Sequence, residues 1–467
     1  MKRALYLFIL LLAYQQAFPQ TQQLAAIMAD ADVPGVQLVY SRDNKTRAYN
    51  LGVEKDGSAR KLSSATIFEA ASLSKTVFAY AVLRLYDRGL VNLDTPLLAY
   101  MGGAYERFKK PDPGYGKITA RMALRHTTGL PNWGNDSGVT LLFPPDSCFS
   151  YSGEGYWFLQ RAVEKIMGKP LNDIMQEEVF TPLGMKHSSY VWNSYMDAVR
   201  ARGLTGIDKK RHTNANAAFS LTTNAHDFNI FLQALINGKG LKPATRQLMF
   251  ERSSLANRYN EPVIAADPHI DWGLGVGLQQ NEKGTAIWHW GDNGDYKCFF
   301  MAFPDTKESL VYFTHNRNGL NMTADVLKLF FGPQTAWVMQ WLEYGYQHPL
   351  VIKDLRRTLS QRGYEHGMAI VSEKKKKDPQ YQLTEHDLNT LGYVLLNKGK
   401  KKEAVEIFKL NIQLFPYSWN VYDSQAEAYE SMGDSILAIQ HYRRSLELNP
   451  NNTNAEEHIK KLWPTEQ

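Results

Sequence analysis

The spacing of apolar positions changes several times along this chain, and each change marks a different kind of element. Between Gln23 and Leu350, short β-branched and aromatic runs alternate with stretches of helical periodicity. "GVQLVYSRD" and "TRAYNLGV" read as two strands joined by a polar turn. From Phe68 to Arg88, the residues Phe78, Val82 and Leu85 recur at helical spacing, and Gly89 ends the run. Four aromatic-rich runs follow in succession: "WGLGVGL", "TAIWHWG", "YKCFFMAFP" and "SLVYFTHN". Glycine, asparagine and Pro304-Asp305 separate them, as in an antiparallel meander. Strands at both ends with helices between predict an α+β fold, in which the two ends contribute to one antiparallel sheet with flanking helices.

Beyond Val351 the composition turns charged. Residues 351–381 read as a partly helical connecting segment with a solvated lysine run, Lys374 to Lys377. Two consecutive 34-residue units come next, 385–418 and 419–452. Aligned, they pair Ala404 with Ala438, Phe408 with Tyr442 and Pro416 with Pro450, and they place Gly392 against Ala426. Small residues where two helices touch, and a proline at the closing turn, make this pattern resemble the tetratricopeptide repeat. The resemblance implies an all-α repeat region over 382–463, ending in a capping helix and offering a surface to a protein or peptide partner.

The amino terminus follows another pattern. Lys2 and Arg3 precede the apolar run Ala4 to Tyr14, and polar sequence follows, so residues 1–20 read as a signal peptide. Export to the periplasm or the exterior is the expectation. No later run approaches membrane-spanning length, so a soluble mature protein without a membrane span is expected, with residues 24–350 as its main domain. At 467 residues, 44% hydrophobic and 21% charged, the composition is that of a globular protein of two or three units. The net charge of +6 is modest, and no nucleic-acid motif accompanies it. Cys148 and Cys298 leave a disulfide and two thiols equally open. No metal-ligand spacing occurs, and no metal or other cofactor is expected.

Candidate chemistry centres on Ser72-Leu73-Ser74-Lys75. A helix brings residues three apart onto one face, so the Lys75 amine would face the Ser72 hydroxyl. A serine needs a neighbouring base to become a nucleophile, and a lysine serves when desolvation leaves it neutral. At a helix N-terminus, backbone N–H groups would also favour an oxyanion. The same four-residue spacing recurs at Ser58–Lys61 in polar turn-like sequence and at Ser372–Lys375 in the charged segment, so spacing alone does not select Ser72.

Companion motifs do. Tyr151-Ser152-Gly153 precedes an amphipathic helix, and His289-Trp290-Gly291 lies on a predicted strand that runs into a glycine-rich turn. With "ITARMALRHTTGLPNW", "VFTPLGMKHSSY" and "AFSLTTNAHDFNIFL", these make residues 24–345 resemble the serine β-lactamase-related family. That family includes class C β-lactamases, D-Ala-D-Ala carboxypeptidases, D-aminopeptidases and esterases. The resemblance implies a fold with an antiparallel sheet and an all-helical part, and a serine hydrolase acting through an acyl-enzyme. It implies Ser72 as nucleophile, Lys75 as proton acceptor, Tyr151 as second acid/base group, and His289 holding Tyr151 or shuttling protons. Backbone N–H groups of Ser72 and Asp292 would form the oxyanion hole, and Gly153, Trp290 and Gly291 would line the substrate.

Two departures shift the substrate. Gly153 stands where many relatives carry asparagine, and His289 replaces a lysine that helps hold the β-lactam carboxylate. Both favour an ester, amide or peptide substrate over a β-lactam. A true β-lactamase and a non-catalytic scaffold or peptide-binding protein remain alternatives. Trp288 and Trp290 either wall the site or pack. His126 reads as fixing a turn, and Asp227 as a helix-start residue.

Overall fold

The computed structural model describes residues 19–43, 45–55, 57–203, 213–252, 258–342, 350–397 and 399–463. The signal-peptide reading falls outside them except for residues 19 and 20, which open a helix over 19–30. The chain divides into two compact units, 1–344 and 345–467. Among the described residues, no helix is long and apolar enough to cross a membrane.

The first unit is built on a seven-stranded antiparallel sheet of order β2-β1-β9-β8-β7-β6-β5. β1 (Gly35–Arg42) and β2 (Lys45–Gly52) come from the start of the unit. β5 (Ile270–Trp272), β6 (Gly277–Asn281), β7 (Gly284–Asn293), β8 (Tyr296–Phe303) and β9 (Glu308–Thr314) come from its end. β1 pairs with β9, so both ends meet in one sheet, as the sequence implied. Side chains alternate between two cores. Val39, Ile287, Phe300, Val311 and Phe313 face the first, which contains the helix Leu73–Asp87; Leu38, Ala286, Trp288, Phe299 and Tyr312 face the second. A sheet covered on both faces explains why these strands read as nearly continuous apolar runs.

Two elements differ from the sequence reading. "WGLGVGL" is not one strand: it holds the end of β5, a turn and the start of β6, closed by a hydrogen bond from the Gly273 N–H to the Val276 carbonyl (2.9 Å). Gly275 at the turn has φ +87°, and a Cβ there would lie 2.2 Å from the Cβ of Ala79 on the Leu73–Asp87 helix. Its carbonyl accepts the Thr76 hydroxyl (2.9 Å), so the turn is clamped to that helix. The helix begins at Leu73 with Ser72 at its N-terminus, as the Ser72 reading required, and the residues ahead of it form an element of their own. Phe68–Glu69 is a short strand, β3, paired with β4 (Thr222–Thr223). Tertiary pairing there overrides the helical spacing of the apolar residues.

In the second unit the repeats form helix pairs Glu385–Asn397 with Lys401–Leu414 and Trp419–Met432 with Ser435–Leu448, followed by a helix Thr453–Leu462. Ala404, Phe408, Ala426, Ala438 and Tyr442 are fully buried. A Cβ on Gly392 would lie 2.3 Å from the Phe408 ring, which is why a small residue stands there. The segment expected to connect the domains instead forms the helices Leu350–Arg362 and Gly367–Lys377. Ile352, Leu355, Leu359, Ile370 and Val371 share one core with Leu388, Leu391 and Phe408. The charged residues that suggested a linker occupy the outer faces of two amphipathic helices.

Gly275→Ala should lower the thermal midpoint of the first unit, with a cost of about 2 kcal/mol or more from overpacking against Ala79 and the positive φ. Calorimetry checks this; an unchanged midpoint would show that the turn is not clamped.

Candidate active site

β3 carries the chain into the site. Ala70 donates its N–H to the Leu221 carbonyl (2.8 Å), and the side-chain amide of Asn293 on β7 donates to Glu69 (2.8 Å). Ala71 then adopts φ +45°, uncommon for a residue with a side chain, and turns the chain so that Ser72 caps the Leu73–Asp87 helix. The N–H groups of Leu73, Ser74 and Lys75 are taken by the carbonyls of Ala70, Ala71 and Ser72. Of the amides opening this helix, that of Ser72 has no acceptor among the described residues. Ser74 is structural: its hydroxyl donates to the Ala71 carbonyl and accepts the Leu221 N–H (3.0 Å).

Lys75 is fully buried. Its Nζ lies 3.2 Å from Ser72 Oγ and donates to the Ala218 carbonyl at 2.8 Å. No carboxylate pairs with it among the described residues, and desolvation lowers its pKa to about 7. A neutral amine keeps an N–H for Ala218 and turns its lone pair to the Ser72 hydroxyl, which then donates. The Tyr151 and Tyr156 rings lie 4.7 and 5.6 Å from the amine.

Two histidines flank Tyr151. The His289 ring centroid is 6.0 Å from that of Tyr151, and its Nδ1 donates to the Trp290 carbonyl at 2.7 Å, which leaves Nε2 as an acceptor. His126 is closer, at 4.4 Å, and has the opposite tautomer: its Nδ1 accepts the Ser152 N–H at 2.9 Å, so Nε2 carries the proton. Both are fully buried. Burial first, and the neighbouring Lys75 second, lower the His289 pKa to about 3 and push that of His126 well below the usual range. Both imidazoles are therefore neutral. His126 does fix a turn, capping the helix Ala120–Arg125 with φ +60°, and it also stands inside the site. The sequence signal for that was its place in the "RHTTGLPNW" block, which suggested structure alone.

Trp288 and Trp290 share one face of β7. Trp288 is fully buried in the second core, whereas Trp290 packs against that core half-buried, meets the Tyr151 ring in a tilted contact at 4.7 Å, and lines a pocket of ≈ 280 Å³ with Phe149, Arg258 and Trp341. Among the described residues, the β6–β7 pairing ends at Trp288. The Asp292 carboxylate pairs with Lys297 and accepts the Gly294 N–H (2.9 Å). Gly291 is the closest crossing: a Cβ there would lie 2.4 Å from Cys298 Sγ and 2.7 Å from the Ala70 carbonyl. Cys298 and Cys148 are not joined by a disulfide.

Ser72, Lys75, Tyr151 and His289 are thus brought together, with Gly291 and Asp292 at the edge of the cluster. Gly153 is buried rather than facing open space, and a Cβ there would meet Trp133 at 2.6 Å. Trp133 was not distinguished in the sequence, because nothing in its spacing marks it. Ser58 lies in a turn and Ser372 is exposed on a helix of the second unit. Asp227 stands in the first turn of the helix Ala225–Ile236, its N–H bound by the Asn224 cap (2.8 Å).

Residues 21–329 match the β-lactamase family model, and residues 420–452 match a tetratricopeptide repeat model. Penicillin-binding protein 4* of Bacillus subtilis is 23% identical over 323 residues, covering 60% of this chain and 67% of that protein. A putative D-alanyl-D-alanine carboxypeptidase of Escherichia coli O157:H7 is 27% identical over 216 residues, covering 39% of this chain and 49% of the relative. Among solved structures, a D-alanine carboxypeptidase from Burkholderia cenocepacia shares the fold with TM-score 0.57 at 16% identity, over 68% of this chain and 99% of that one. A D-amino acid amidase from Ochrobactrum anthropi SV3 superposes with TM-score 0.56 at 19% identity, over 67% and 98%.

In protein carrying ¹³C-labelled lysine, one Cε resonance should titrate near pH 7 and vanish in Lys75→Met. Titration of that resonance near 10 would show that the amine remains an ammonium.

Proposed function

Because the chain belongs to the β-lactamase family and is a serine hydrolase of that family, we propose that it cleaves an ester or amide through an acyl-enzyme on Ser72. The observation that carries this reading is a fully buried amine, with its pKa lowered to about 7, at 3.2 Å from Ser72 Oγ. Ser72 Oγ attacks the substrate carbonyl carbon as its proton passes to Lys75 Nζ. The carbonyl oxygen becomes an oxyanion against the N–H groups of Ser72 and Asp292. As the bond to the leaving group breaks, Tyr151 protonates the departing oxygen or nitrogen and recovers a proton from Lys75. Water then attacks the acyl-enzyme by the reverse sequence of proton transfers and releases the acid. His289 is neutral and buried, so it serves Tyr151 through its bare Nε2 rather than by charge.

A β-lactam fits the site less well. Position 153 offers no amide, and neutral His289 offers no cation to a carboxylate. An ester or a D-amino-acid amide or peptide agrees better with these residues. The repeats of the second unit support a surface for a protein or peptide partner, and the amino-terminal pattern favours export.

Ser72→Ala should abolish labelling by a fluorophosphonate probe and reduce p-nitrophenyl ester turnover at least ~10³-fold. Full turnover in that variant would sink the assignment. Because the neutral amine is the active form, wild-type kcat/KM should rise about tenfold per pH unit below 7 and level off above it. A plateau reached only above pH 9 would remove Lys75 as the base. Nitrocefin hydrolysis at rates matching the best ester would favour a β-lactamase instead.

A further inference from the structure

Trp133 is the one exposed tryptophan among the described residues of the first unit, at 47% relative exposure. On one side, the Asn132 side chain and carbonyl accept the Gly153 N–H (3.0 and 3.1 Å), and that carbonyl also takes the Glu154 N–H (3.1 Å). On the other, the Gly134 N–H donates to the buried Glu154 carboxylate at 2.9 Å, and Arg107 donates to the same oxygen at 2.6 Å. Gly134 is confined in turn, since a Cβ there would meet Val139 at 2.3 Å. The indole is therefore presented by a rigid support.

Its place relative to the chemistry follows from two contacts. The Trp133 ring covers Gly153, where a Cβ would be 2.6 Å from Cη2, two residues after Tyr151. Its other neighbour is Phe219, in an edge-to-face contact at 5.5 Å, and Phe219 follows Ala218, whose carbonyl holds Lys75. The indole and the phenyl ring thus adjoin both segments that flank the Ser72–Lys75–Tyr151 cluster. Gly153 is what makes room for the indole, because any side chain there meets it.

We propose that Trp133, backed by Phe219, is the wall against which the acyl group of the substrate packs, so that the site selects acyl groups bearing an aromatic or flat apolar substituent. This rests on the acyl-enzyme reading above. A polar acyl amide finds no partner at position 153, whereas a ring gains stacking contact and buried area on a surface that is already ordered.

The test compares p-nitrophenyl phenylacetate with p-nitrophenyl acetate, which share a leaving group and differ in the acyl group alone. Wild type should favour the phenylacetyl ester in kcat/KM. Trp133→Ala should reduce that preference on the order of tenfold, and Trp133→Phe should restore most of it. An unchanged ratio in Trp133→Ala, or an equal fall for both esters, would overturn the wall. Binding of phenylacetamide and acetamide to Ser72→Ala protein, with and without Trp133→Ala, reads the wall without any chemistry. Preference for phenylacetamide that depends on Trp133 supports it, and equal binding overturns it. If Ser72→Ala still turns over both esters, the acyl-enzyme reading fails, while the binding comparison decides on Trp133 by itself.

Discussion

The site is organised around one constraint: a lysine amine is taken wholly out of water and, among the described residues, given no carboxylate. A charged ammonium in that position loses its hydration without a counter-ion, so the protein holds Lys75 near the point where it sheds its proton. The surrounding groups conform. His126 and His289 are neutral, and the rings of Tyr151 and Tyr156 face the amine. A carboxylate among them would restore the ammonium and remove the base. The polar contacts left to Lys75 are a carbonyl and the serine hydroxyl, both compatible with a neutral amine.

Backbone crowding sets where that amine and the serine meet. β7 passes so close to Ala70 and Cys298 that position 291 has no room for a side chain. β3, β4 and the Glu69–Asn293 bond fix the segment entering the Leu73–Asp87 helix, and the Gly275 turn holds its far side through Thr76. Strain at Ala71 is sustained because these contacts over-determine the turn. Ser72 is therefore positioned by packing at a distance from its own side chain.

Much of this was legible in the chain. Apolar runs marked the strands, the 34-residue period marked the repeats, and the order of Ser72, Tyr151 and His289 separated one Ser-x-x-Lys from its two imitations. What was not legible depended on contacts between segments distant in sequence. Phe68 looks helical until Thr223 pairs with it, and "WGLGVGL" looks like a strand until Ala79 demands a turn at Gly275. Residues 351–381 look solvated because their charges are on the surface, while the apolar Ile352, Leu355, Leu359, Ile370 and Val371 are hidden. Trp133 carries no periodic signal, since its role comes from a glycine 20 residues later and a phenylalanine further on.

The two helices that precede the repeats bear on how the protein can be cut. Ile352, Leu355, Leu359, Ile370 and Val371 cover the apolar flank of the first repeat, as an end cap covers the open face of a stack. A fragment begun at the first repeat would leave that flank in water, with an aggregation-prone patch where a binding surface was sought. The smallest piece of the second unit able to stand in solution thus begins by Leu350, and the boundary for expression lies some thirty residues ahead of the boundary of the repeat pattern.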